Sequence, residues 1–348
     1  YYDSLKSVYQ KLSDYGSGDF KVKILVSSLT ETSGFGVWDI NVILVSAVDT
    51  IVNFNLSNTG SCIVLESEGG LTIGGTASGE SGLITIKASN FTEIISCGQT
   101  MSDLVINNVN ISDIDATNEC SIIYAEYNNV IINGGTFNHN NINIIYNSGD
   151  DNVITINGGT FTNNTARIVA HQNGLGSLTI TGGTFSQNDL TNETSAKSIL
   201  YANYIRVDGG TFSENNSLVF NLTSGDSLRI TDGTFTGNTN GVVISQGNID
   251  IRGGTFSENT ADSGAVINAS AGHITIIGGT FDSNSSTGDN TTGGGVIRLT
   301  DSATLEITAD DADTQPVFSN NTCKMLGGVI RNDSTGTFSD SIYGSNTI

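Results

Sequence analysis

Short apolar runs alternate with polar residues along most of the chain. Val153-Ile154-Thr155-Ile156, Leu178-Thr179-Ile180, Leu228-Arg229-Ile230 and Ile274-Thr275-Ile276 are typical. Runs of this length, bounded by Gly, Asn and Ser, read as strands with one face buried. Each is followed by a recurring phrase, beginning with Gly134-Gly135-Thr136-Phe137. Its Phe returns at 161, 185, 212, 235, 256 and 281, at intervals of 24, 24, 27, 23, 21 and 25 residues. Asp232-Gly233 is the one variant glycine pair. An Asn follows every Phe by three positions, at Asn140, Asn164, Asn188, Asn215, Asn238, Asn259 and Asn284; Phe318 and Asn321 repeat the spacing without the glycines. A second apolar run comes midway to the next repeat, as in Val242-Val243-Ile244 or Ala265-Val266-Ile267. Two strands and a Thr-Phe segment fill the period, which leaves no room for a crossover helix.

A repeat of this length predicts an all-β solenoid, a parallel β-helix in which like residues stack on like about 4.8 Å apart. Phe137, Phe161, Phe185, Phe212, Phe235, Phe256, Phe281 and Phe318 then form an interior column, each ring burying roughly 2–3 kcal/mol of apolar surface. The rival is an outward platform for sugars. The Asn series predicts a ladder of side-chain amides from coil to coil, and the glycine pairs a sharp corner. Weaker strands upstream, at 22–26, 42–45, 63–65, 83–86 and 104–106, extend the array to about a dozen rungs of 21–27 residues, a single β-helix from residue 16 to 348. Such a rod would be roughly 60 Å long. Tyr1, Leu5, Val8 and Leu12 have helical spacing, so residues 1–15 read as an amphipathic helical cap over the open end.

The pairing of Phe-x-x-Asn with Gly294-Gly295-Val296-Ile297 and Gly327-Gly328-Val329-Ile330, and more loosely Gly264-Ala265-Val266-Ile267, resembles the repeats of chlamydial-type polymorphic outer-membrane proteins. Similar repeats occur in surface proteins of other bacteria and protists. The resemblance spans about residues 104–338. It implies a right-handed parallel β-helix acting at the cell surface as an adhesin or stalk. Gly-Gly-Thr-Phe replaces much of that family's glycine motif, and a C-terminal barrel is not seen in this sequence.

Charge narrows the partners. With 35 acidic against 13 basic residues and a net charge of −22, the surface repels phosphate backbones, so nucleic acid is not expected as a partner. Asp150-Asp151 and the run Asp310-Asp311-Ala312-Asp313 lack the spacing of a calcium loop, and no cofactor is expected. No apolar stretch is long enough for a spanning helix. The expected partners are a second copy, head to tail, or a host or matrix surface. Of 12 Asn-x-Ser/Thr sequons, Asn90, Asn192, Asn268 and Asn290 read as loop sites for glycans, whereas Asn215 and Asn284 fall in the ladder. Cys97 and Cys120 lie 23 residues apart, about one rung, which suggests a disulfide between coils. Cys62 and Cys323 are left as buried thiols or as the two ends of a covalent link between subunits.

Pectate lyases and polygalacturonases also use a right-handed β-helix, so the fold alone leaves a polysaccharide lyase or hydrolase open. Asp150-Asp151, Arg229-Ile230 and Gly272-His273 echo fragments of such sites, but in the wrong order. Only His139, His171 and His273 are present, and no nucleophile–base or zinc-ligand spacing occurs. The sequence therefore predicts no catalytic residues and points to an extracellular structural protein, a fibre subunit or a surface adhesin.

Overall fold

A computed structural model describes residues 2–66, 69–98, 103–116, 121–126, 128–171, 176–190, 198–288, 292–309, 315–324 and 327–341. The chain is all-β, its parallel strands stacked as a β-solenoid, with a single short helix at the N-terminus. Its coils group into two compact units, Tyr1–Gly176 and Ser177–Ile348.

The first unit consists of coils with three faces. The first face carries Gly18–Ile24, Ile40–Ser46, Leu71–Ile73, Leu104–Ile106, Val130–Ile132 and Val153–Ile156, each in parallel register with the next. The second runs from Ser28–Glu31 through Thr50–Gly60, Ile84–Phe91, Val109–Ser112 and Thr136–Asn138 to Thr160–Thr162. Phe35–Trp38, Ile63–Glu66, Glu93–Cys97, Ser121–Ala125, Asn143–Asn147 and Val169–His171 form the third. Alternation places every second residue inside: Leu104 and Ile106 are buried beneath Val130 and Ile132, then Ile154 and Ile156.

The second unit repeats the plan. Its third face runs Ser198–Tyr201, Leu218–Leu222, Val243–Ser245, Ile267–Ala269, Ile297–Leu299 and Ile330–Asn332. In two coils the first and second faces are one bent strand, Tyr204–Ser213 and Ser227–Thr236, paired with a register shift at the glycine corner. A small sheet of Thr260–Ala261, Ser285–Ser286 and Thr322–Cys323 lines the corner after the Asn turn.

The corner explains the glycine pair. A Cβ on Gly134 would lie 2.5 Å from the Asn107 carbonyl oxygen of the preceding coil, so the first glycine is needed for close approach. Gly135, at φ +110, holds a conformation that side chains avoid.

The N-terminal helix is shorter than the predicted cap, spanning Leu5–Ser13, with the Ser4 hydroxyl accepting from the Ser7 N–H. Leu5 and Tyr9 are its buried residues, and Tyr9 stacks on Phe35 at 4.4 Å. Glu31, only 2% exposed, accepts the Leu5 N–H at 2.5 Å. Its carboxylate thus satisfies an N–H that the helix leaves without an internal partner. Burial nevertheless outweighs these bonds and raises the Glu31 pKa above its ordinary value.

Candidate functional site

The repeated residues face inward. Phe137, Phe161, Phe185, Phe212, Phe235, Phe256 and Phe281 are fully buried, and Phe318 is 6% exposed. In the first unit Phe137 and Phe161 stack at 5.0 Å with ring planes 3° apart. In the second, the rings from Phe185 to Phe318 stack at 4.7 to 4.8 Å. Ring spacing thus equals coil spacing, and an outward sugar platform on these rings is excluded.

The Asn ladder forms beside it. Asn238 Nδ2 donates to Asn259 Oδ1 at 2.8 Å and to the Phe212 carbonyl at 3.0 Å. Its Oδ1 accepts the Asn215 backbone N–H at 3.2 Å and Asn215 Nδ2 at 2.8 Å. Both hydrogens and both lone pairs of the carboxamide are used, as a buried amide requires. The pattern recurs from Asn140 to Asn164 and from Asn188 through Asn284 to Asn321. Asn321 departs from the rest in being half-buried. The sequons at Asn215 and Asn284 therefore present no accessible amide.

A feature the sequence did not disclose lies just before each Asn. His139, Asn163, Gln187, Glu214, Gly237, Glu258, Ser283 and Asn320 all have positive φ, between 52° and 65°. This left-handed residue ends the short Thr-Phe strand and swings the Asn inward. Seven of the eight are not glycine, and each carries a strain of roughly 1–2 kcal/mol.

The remaining sequence-derived sites fare unevenly. Asn90 is exposed at the end of strand Ile84–Phe91, with Nδ2 donating to the Leu56 carbonyl at 3.2 Å. Asn268 is not in a loop: it is half-buried within strand Ile267–Ala269. Asn192, Asn290, Cys120 and the acidic run 310–313 lie outside the described residues. Of the expected Cys97–Cys120 pair only Cys97 is among the described residues. Cys97 is a free thiol whose register partners are Leu65 and Ala125, 28 positions on rather than 23. Cys62 is free and fully buried, and burial, with a smaller effect from Glu93, pushes its thiol up to about 12; burial alone does the same to Cys97. Such enclosure fits the reading of Cys62 as a buried thiol packed like a small apolar side chain. Cys323 is half-buried in strand Thr322–Cys323.

Charge gathers on one outward face of the second unit. On the first face of the second unit a groove of about 510 Å³ runs along the stacked strands. Two outward columns form its floor. One is Thr179, Arg206, Arg229, Asp250 and Thr275; the other is Ser177, Tyr204, Ser227, Asn248 and His273. Arg252 adds a third guanidinium from the corner. Asp250 Oδ2 accepts from Arg229 and from Arg252, each at 2.9 Å, and Asp208 accepts Arg206 Nε at 2.6 Å. Burial tends to raise the Asp208 pKa, but its bonds from Thr231 and Arg206 outweigh this and leave it below the ordinary carboxylate value. His273 is exposed, with Nδ1 2.8 Å from the Thr304 hydroxyl and Nε2 3.7 Å from Glu306. Along the chain the six arginines stand far apart, at 167, 206, 229, 252, 298 and 331. Counted back from the glycine corner, Arg206, Arg229 and Asp250 each stand three residues before it, so aligning the repeats would have found the column.

Among the described residues no group of three or more His, Cys, Asp or Glu side chains is arranged to hold a metal ion. Nor is any described helix long and apolar enough to cross a membrane. Comparison of the chain with protein-family models, curated proteins and solved structures finds no match.

Proposed function

We propose that the chain is a non-enzymatic, extracellular scaffold displayed at a cell surface, where it works as an adhesin. The observation that carries this reading is the division of labour within each coil. Phe, Asn and Gly recur at positions turned inward or at corners, whereas one outward column changes identity at every step but the one from Arg206 to Arg229, running from Thr179 through these two, Asp250 and Thr275 to Glu306. A constant interior with a largely varied exterior suits a rigid frame that presents a surface to a partner. The resemblance to the repeats of polymorphic outer-membrane proteins points the same way.

A polysaccharide lyase or hydrolase is the weaker reading. Hydrolysis of a glycosidic bond uses two carboxyl groups flanking that bond. Among the described residues Asp250 is the only carboxylate lining the groove, and two arginines already hold it. A fibre subunit is disfavoured in its covalent form by the burial of Cys62.

Two measurements test the proposal. Antibodies to the protein should label the intact cells that make it, and the purified chain should bind to a layer of target cells. Labelling that needs permeabilised cells would refute the surface location, and no attachment to cells or matrix would refute adhesion.

A further inference from the structure

We propose that the groove on the first face of the second unit binds an anionic linear glycan. Its carboxylate or sulfate groups would be held by Arg206, Arg229 and Arg252, and one of its sugar rings would stack on Tyr204. The inference deepens the adhesin reading and rests on it only for the glycan's source, the surface of another cell or its matrix.

The concentration of positive charge comes first. The chain has six arginines, 13 basic residues in all and 35 acidic ones. Three of those arginines line this one groove, together with a single carboxylate. Counting Asp208 as well, three guanidinium groups face two carboxylates, on a molecule whose overall charge is −22.

The way the pairs are made matters more than their number. Asp208 and Asp250 take the Nε edges of Arg206 and Arg252. Among the described residues the Nη groups of these two arginines have no hydrogen-bond partner, and the side chains are 58% and 45% exposed. The aspartates therefore hold the forks in place while the terminal donors point to solvent. A planar fork fixed in this way matches the paired oxygens of a carboxylate or sulfate. Tyr204 lies in the same groove, 43% exposed, with an apolar ring face available to a sugar.

The shape selects the polymer. Coils repeat about every 4.8 Å along the groove, comparable to one sugar residue in an extended chain. Ser177, Thr179, Ser227 and Asn248 place hydroxyl and amide groups alongside the arginines. Nucleic acid would also supply anions, but at about one charge per 1.7 Å of duplex the acidic remainder of the surface repels it more than a chain with one carboxylate per sugar.

The test is calorimetric titration of the intact protein at low salt with three hexasaccharides: heparin-derived, galacturonate and neutral glucan. An oligothymidylate serves as the fourth probe. At least one acidic hexasaccharide should bind and the neutral one should not; the galacturonate arm tells whether carboxylate suffices or sulfate is needed. The double variant Arg206→Gln, Arg252→Gln should weaken binding at least about tenfold, as loss of charge-assisted pairs predicts. Tyr204→Ala should weaken it less. Lys87→Gln, an exposed charge change in the first unit, should leave it unaltered, and circular dichroism should be the same for all the variants. Binding to neither acidic hexasaccharide, equal loss in Lys87→Gln, or tighter binding of the oligothymidylate would overturn the inference. Failure of cell attachment with glycan binding intact would sink the adhesin reading alone.

Discussion

The early coils of the first unit and the coils of the second solve the same packing problem with different residues. In the second unit the second face is marked by the Phe column, and an Asn ladder closes its turn. In the first unit the same register position is held by Leu29, Val52, Ile86 and Ile111 before Phe137 takes it over. Ile114 stands where the ladder would continue, its N–H donating to Asn140 Oδ1 at 3.1 Å. The strands differ accordingly. Thr255–Ser257 stops after three residues, at the left-handed Glu258 and the buried Asn259, whereas Thr50–Gly60 runs on for 11. The Phe-Asn pair therefore sets the sharpness of the turn and the coil's outline, while apolar burial as such is met equally well by aliphatic residues. The ladder also joins each coil to its neighbours through polar groups that have no alternative partner.

That difference is broken most severely at the amide. Asn238→Asp replaces two donors with a carboxylate that faces the Phe212 carbonyl and Asn259 Oδ1. Leaving such buried groups unpaired costs about 1–3 kcal/mol each, and more with a charge nearby. A loss of roughly 4 kcal/mol or more is expected, seen as a fall in the denaturation midpoint and as loss of amide protection in the flanking coils. If Asn238→Asp melts with the parent protein, the ladder does not hold the second unit together.

The ring column comes next. Phe212→Ala should cost about 3–5 kcal/mol as a core truncation. Phe212→Leu, which imports the aliphatic solution of the early coils, should cost only about 1 kcal/mol. Chemical denaturation of both variants compares the two solutions at one position. Equal losses would mean that stacking geometry, rather than buried volume, carries the column.

Much of this was legible in the sequence because the responsible residues are fixed in type. Phe, Asn and paired Gly recur at one spacing, and that spacing gave the strands, the inward column and the ladder. The early coils were read only as weak strands, because Val52, Ile86 and Ile111 look like any other strand residue. The left-handed position was missed for a different reason. Its side chain faces out, so His139, Gln187, Glu214 and Ser283 share no chemistry although they share a backbone conformation. The cysteine spacing was read with the period of the later repeats, about 23 residues, whereas in the early coils Cys97 aligns with Ala125, 28 residues on. The arginine groove was hidden because charges were counted along the chain, whereas the fold counts them from the glycine corner.

The left-handed position gives a smaller and opposite test. Glu258→Gly removes the backbone strain at φ +57 but loosens the unfolded chain. The net expectation is a gain of about 0.5–1 kcal/mol. Gly237→Ala, at φ +65, should lose about 1 kcal/mol. Thermal melts of the pair should move in opposite directions; movement in the same direction would show that the turn is not under strain.

The smallest effect concerns the other end of the comparison, the helix that packs against the early coils. Glu31 is buried under the helix N-terminus, where it accepts the Leu5 N–H; Lys6, whose Nζ donates to the Ser33 hydroxyl at 3.0 Å, is the basic group that favours its ionised form. Desolvation prevails over both and raises its pKa from 4.5. The folded state therefore holds this proton more tightly than the unfolded chain does. Its contribution to stability is fully present below the unfolded value, and it is lost as pH rises through the raised folded value. Glu31→Gln keeps an oxygen for Leu5 but does not titrate. Hydrogen exchange at the Leu5 amide, followed from about pH 4 to neutrality and corrected for the intrinsic rate, should show the parent helix loosening relative to the Gln variant across that window. Parallel curves would mean that the carboxylate does not set the anchoring of the helix, and that Leu5, Tyr9 and the Tyr9–Phe35 stack hold it without help from charge.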